Sequence, residues 1–167
     1  MSNSFPVESA MYPEIAEYGY FDSFAIPVQR TDIESWELIE AFLQSAPRWV
    51  RNLLALRNRV VRVFGLKTGH DNPRELDPPY QVGQSIGIFR VFGVTDSEAI
   101  IGQDDRHLDF RISLLLIHSD AGDQLVVSTL VKTKNALGII YFSVVKYFHR
   151  LIVPVIVRTM AKKIDEK

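Results

Sequence analysis

The stretch HLDFRISLLLIHSDAGDQLVVSTLVKTKNALGIIYFSVVKYFHRLIVPVIVRTMAKK, residues 107–163, decides the fold. From His107 to His118 it alternates. Leu108, Phe110, Ile112, Leu114 and Leu116 fall on one side and His107, Asp109, Arg111 and Ser113 on the other, the period of two expected of a strand with one buried face. Asp120-Ala121-Gly122-Asp123 supplies turn residues, and Gln124–Lys134 reads as the next, antiparallel strand. From Ala136 the period changes. At about 100° per residue, Phe142, Val145, Ile152, Val153, Ile156 and Met160 share one side, and Ser143, Lys146 and Arg150 another, which predicts a single helix over Ala136–Lys163 with His149 in the apolar group. A hairpin followed directly by a long one-sided helix predicts that the helix lies across the sheet, an α+β arrangement.

Working back toward the N-terminus, Ser85–Thr95 and Glu98–Gln103 read as two further strands joined at Asp96-Ser97. Leu66–Gly83 carries Pro73, Pro78 and Pro79 without a clear period and reads as a long loop, of the kind that is either disordered or functional, for example as a lid. Pro47 starts a helix that Gly65 can close. On it Trp49, Val50, Leu53, Leu54, Leu56, Val60, Val61, Val63 and Phe64 form an apolar arc opposite Arg48, Arg51, Asn58, Arg59 and Arg62, and Arg57 breaks the arc. Thr31-Asp32-Ile33-Glu34 has the pattern of a capping box opening a helix to about Gln44. Phe24–Val28 reads as a short strand that Pro27 confines to an edge or a strand end. The predicted organisation is an irregular arm over residues 1–20, rich in tyrosine, a single domain over 21–163 and a tail over 164–167.

Composition excludes more than it selects. A chain of 167 residues can bury one core, and the absence of cysteine removes disulfides, thiolate nucleophiles and cysteine metal sites. The net charge of −1 gives no electrostatic footprint for nucleic acid, yet it averages over blocks of −7 (residues 1–45), +6 (46–70), −6 (71–123) and +6 (124–167). Such alternation suggests that the blocks pair in the fold. Leu137–Val157 has the length of a membrane span, but Lys146, His149 and Arg150 interrupt it, so it reads as a helix docked on a core, with a membrane-surface role as the lesser alternative and no integral membrane segment. Glu8, Glu14 and Glu17 stand where a secretory leader would be basic and apolar, so no export signal and a cytoplasmic location are expected.

The segments Leu56-Arg57-Asn58-Arg59, Asp104 to Arg111 and Val145 to Pro154 resemble the domain of unknown function 2867 family, over roughly Phe21 to Arg158. The element order resembles the helix-grip fold of the START and Bet v 1-like (SRPBCC) superfamily: an antiparallel sheet wrapped around a long C-terminal helix, with two shorter helices after the first strand. Folds of the nuclear-transport-factor type start on helices and finish on strands, and fit less well. The resemblance implies a cavity between the C-terminal helix and the sheet, and no settled activity. Some family members resemble appendages of nicotinamide-dependent reductases, but none of the nine glycines here falls in a GxGxxG.

Residues with chemistry to offer are few. There is no GxSxG, no HExxH and no Walker loop, so no metal and no cofactor are expected. The guanidinium of Arg57 cannot shed its charge, so it meets an internal acid, reaches an edge, or anchors a carboxylate or phosphate of a ligand. His149 is either a hydrogen-bonded core residue or a ligand contact and acid–base group. His107, Asp109 and Arg111 lie on the outer face, or else turn Asp109 toward a pocket where it pairs with Arg57 or orients a histidine. The leading expectation is a domain that binds an apolar or lipid-like molecule against Phe89, Phe110, Phe142 and Ile152, with Arg57, His149 and Asp109 as polar contacts. The second is a cyclase- or hydratase-like enzyme with His149 as acid or base. The third is an interaction module with a filled core, dimeric through the tyrosine-rich arm.

Overall fold

The computed structural model describes residues 4–30, 32–47, 78–120 and 122–166. The expected helix after Pro47, Arg57 within it and most of the expected loop at Leu66–Gly83 lie outside these residues. The elements are β1 (Tyr20–Val28), α1 (Ser35–Gln44), β2 (Ser85–Ile86), β3 (Phe89–Val94), β4 (Glu98–Asp104), β5 (Leu108–Ile117), β6 (Asp123–Thr133) and α2 (Ala136–Asp165). The strands form one six-stranded antiparallel sheet in the order β1-β6-β5-β4-β3-β2. Sequential hairpins build β2 to β6, and β1 closes the far edge against β6. The architecture is α+β with a long C-terminal helix, compatible with a helix grip.

Both faces of the sheet are covered. On the inner face Phe24, Ile101, Ile112, Leu114, Leu125 and Val127 meet Leu38 and Ile39 of α1 and Val153, Ile156, Val157 and Met160 of α2 in one core. The end of α2 is tied down where Asp165 accepts backbone N–H groups of Gln29 (2.8 Å) and Arg30 (3.2 Å), just after β1. On the outer face lies the N-terminal arm, with a 3-10 turn at Tyr12–Glu17; Phe5 and Met11 are buried on Ile100 and Leu130, and Tyr18 and Phe92 pack alongside. The arm is thus more ordered than the irregular segment predicted.

Boundaries moved where backbone chemistry outweighs pattern. The strand expected over Ser85–Thr95 is a hairpin, because Gly87 adopts φ +60° at the first position of the two-residue turn between Ile86 and Phe89. β1 starts at Tyr20, not Phe24, and its Pro27 sits on an edge strand as expected. The capping box of α1 is Glu34 with Glu37, three residues beyond Thr31; the Glu37 carboxylate accepts the Glu34 N–H at 3.1 Å. α2 runs past Lys163, and Ile164 is buried in the core rather than part of a tail.

Candidate functional site

The inner face is sealed at one end and looser at the other. Along β5, Ile112, Leu114 and Leu116 are buried, whereas Phe110 is half-buried. Register places Phe110 in a row with Val131 and Tyr20 on one side and Gln103 on the other. Phe89 stands edge-on to Phe110, with ring centroids 6.1 Å apart, and Phe42 of α1 stands edge-on to Phe89 at 5.6 Å. These three rings form an aromatic wall, since edge-to-face contact suits the ring quadrupoles. Phe142 of α2 closes on Tyr20 at 5.0 Å, and Ile152 packs against the main core.

His149 meets an acid. Its Nε2 lies 3.0 Å from Oδ2 and 3.2 Å from Oδ1 of Asp22, on the neighbouring row of β1, and the two side chains are 17% and 11% exposed. Tyr20 donates its hydroxyl to Asp22 Oδ2 at 2.6 Å. Burial, and then the hydrogen bond and charge of Asp22, push the Tyr20 phenol up to about 12 against the opposing pull of Arg150. Tyr20 is therefore a permanent donor at neutral pH. An ionised carboxylate only accepts, so a neutral His149 must carry its proton on Nε2 and its lone pair on Nδ1. Among the described residues no donor occupies that lone pair. Lys146 lies 4.5 Å over the Tyr20 ring.

The polar row of β5 lies elsewhere. Asp109 is on the outer face, ion-paired to Lys134 at 2.6 Å and accepting the Asp105 N–H at 3.2 Å. Arg111 pairs with Asp104 at 2.7 Å and stacks 3.5 Å over Phe92. His107 holds Asn135, the N-cap of α2. Asp109 therefore stands away from the helix-facing side on which Phe89, Phe110, Phe142, Ile152 and His149 converge. Arg57 lies outside the described residues.

Two members of this site escaped the sequence reading. Tyr20 falls in the expected arm and Asp22 between the arm and the expected first strand, yet alternation back from Phe24 puts both on its inner side. The outer face holds a second unforeseen cluster: Glu98, 2% exposed, accepts Ser9 Oγ and Ser113 Oγ at 2.5 Å and the Ala10 N–H at 2.7 Å. Among the described residues no group of three or more histidines and acids could hold a metal ion.

The sequence profile of the family described as "Protein of unknown function (DUF2867)" matches residues 15–156, most of the chain. The chain belongs to that family. No curated protein matches it. The DUF2867 match takes in β1 through Ile156 of α2, so Tyr20, Asp22, Phe89, Phe110, Phe142, His149 and Ile152 all fall within it.

Proposed function

We propose that this DUF2867 domain is a helix grip of the START and Bet v 1-like kind that binds an apolar or lipid-like small molecule between α2 and the sheet. The strand order, with α1 after the edge strand β1 and the long helix after the last strand, supports that fold. One observation carries the ligand. The half-buried wall Phe42–Phe89–Phe110 shares the inner face with a polar cluster, Tyr20, Asp22 and His149, at the other edge of the sheet. Ligand sites pair apolar walls with a few directing polar groups in this way. Native mass spectrometry of protein purified from cells is expected to show a retained small molecule, and Phe110→Ala to weaken binding of a fluorescent fatty-acid probe about tenfold at unchanged fold. A chain that carries no adduct and binds no probe would instead point to a filled interaction module.

The Asp22–His149 pair favours a second reading, proton-transfer chemistry of the cyclase or hydratase kind. Asp22 fixes the tautomer, and Nδ1 is then the base. His149→Gln would keep probe affinity and remove turnover of an enolisable substrate, whereas turnover retained in that variant would eliminate the role.

A further inference from the structure

The side of α2 that faces away from the sheet is apolar for three turns. Ile140, Val144, Tyr147, Phe148 and Leu151 are between 44% and 69% exposed, directly opposite Val153 and Met160 in the core. Ile140, Val144, Tyr147 and Leu151 lie within about 60° of one another, over about 16 Å of helix. The same line continues into Arg158 and Lys162, both exposed. Among the described residues Arg158 has no acidic partner, and Lys162 is held only by a surface pair with Glu166 at 3.5 Å. The whole helix carries Lys146, Arg150, Arg158, Lys162 and Lys163 and no acid before Asp165.

We infer that this stripe docks the protein on an anionic lipid surface, with the apolar turns set among the upper acyl chains and Arg158 and Lys162 on the headgroups. An exposed apolar band with large side chains, on a helix whose charges before Asp165 are all basic, is the pattern of an interfacial helix. Tyr147 and Phe148, in edge contact at 5.8 Å, would sit at the headgroup boundary where amphipathic rings are favoured. A second copy fits less well, because the seam of a helix pair is flanked by complementary charges, and the acid on this line of α2, Asp165, is already engaged by the backbone N–H groups of Gln29 and Arg30. By length and composition alone α2 could cross a bilayer. However, Val153, Ile156, Val157, Met160, Ala161 and Ile164 already belong to the core, which leaves the 17 residues Ala136–Ile152, fewer than the ~20 a span needs. The stripe does not use Phe89, Phe110 or His149, so it stands whether or not a ligand binds there.

Vesicle flotation with the full chain tests this. The chain is expected to float with phosphatidylcholine vesicles containing phosphatidylserine, to bind pure phosphatidylcholine weakly, and to detach as salt is raised. Tyr147→Ser with Leu151→Asp should lower the affinity at least about tenfold, and Arg158→Glu on the order of tenfold, since each surface cation near anionic lipid is worth about fivefold. All three positions are exposed, so circular dichroism should be unchanged. The inference is overturned by no binding to either vesicle, by binding that these substitutions leave intact, or by resistance to alkaline extraction, which would mean a span. It is equally overturned by a dimer in analytical ultracentrifugation that Leu151→Asp dissociates.

Discussion

Glu98 shows how a single side chain holds two layers together. A carboxylate at 2% exposure survives only where donors replace its water, and Ser9, Ser113 and Ala10 supply three. Glu98→Ala would leave those donors facing an apolar gap, and is expected to cost about 3 kcal/mol or more, against about 1–2 kcal/mol for Ser9→Ala, read from urea midpoints at constant slope. Tyr20 offers a test at the other face. Its phenol is raised from 10.0 to about 12, so the folded chain holds the proton that the unfolded chain has lost between those values. Its contribution to stability is therefore complete below pH 10.0 and falls away as the pH rises toward 12. Thermal melts should show a steeper alkaline decline for the wild type than for Tyr20→Phe; parallel curves would contradict the placement. Neither residue stood out in the sequence. A glutamate opening a strand reads as solvated until the arm is seen to cover it, and Tyr20 resembled its neighbours Tyr12 and Tyr18.

Among the elements, the start of α2 is the most constrained. Asn135 caps it by accepting the Gly138 N–H at 3.0 Å, and a Cβ on Gly138 would lie 2.0 Å from the backbone oxygen of His107. Two effects oppose each other in Gly138→Ala. Helix propensity favours alanine by about 1 kcal/mol, while overlap with a backbone atom, which cannot rotate away, costs typically 1–3 kcal/mol or more. The clash should win, with a lower melting temperature for Gly138→Ala and a gain only if the helix has moved off His107. Elements with a strong period were legible: α2, β5 and β6 fall within two residues of expectation at their starts and ends. Those that a local backbone decision sets were not. Gly87 split one expected strand into a hairpin, and α1 begins three residues beyond the expected cap, where the Glu37 carboxylate reaches back to the Glu34 N–H.

For the whole molecule, charge alternation is a partial map of contacts: among the described residues three ion pairs join different blocks, whereas five, such as Arg30 with Glu37 and Arg111 with Asp104, stay within one. The basic C-terminal block meets both acidic blocks, through Lys132 with Glu17, His149 with Asp22 and Lys134 with Asp109. The inward identity of Phe110, His149 and Ile152 was legible because one helix and one strand fix it; their partners on β1 were not, because that depends on which edge closes the sheet. The arm was the least legible part, since a segment without a period gains order only from the surface it covers. That surface predicts their worth. Burial of Phe5 and Met11 contributes about 1.5–3 kcal/mol each, opposed by ordering of the arm, and the contacts of Ser9 and Ala10 to Glu98 tip the balance. Deleting the arm through Glu17 would uncover Ile100, Leu130 and Phe92 and strip Glu98 of two donors. A net loss of about 2 kcal/mol lowers the melting temperature of a domain this size by roughly 4–8 °C, and the bared outer face should drive concentration-dependent association in sedimentation velocity. The inner face is separated from that surface by the sheet, so affinity for a fluorescent fatty-acid probe should stay within about twofold while stability falls. A truncated chain that melts like the wild type would mean that the arm rests on the sheet without holding it.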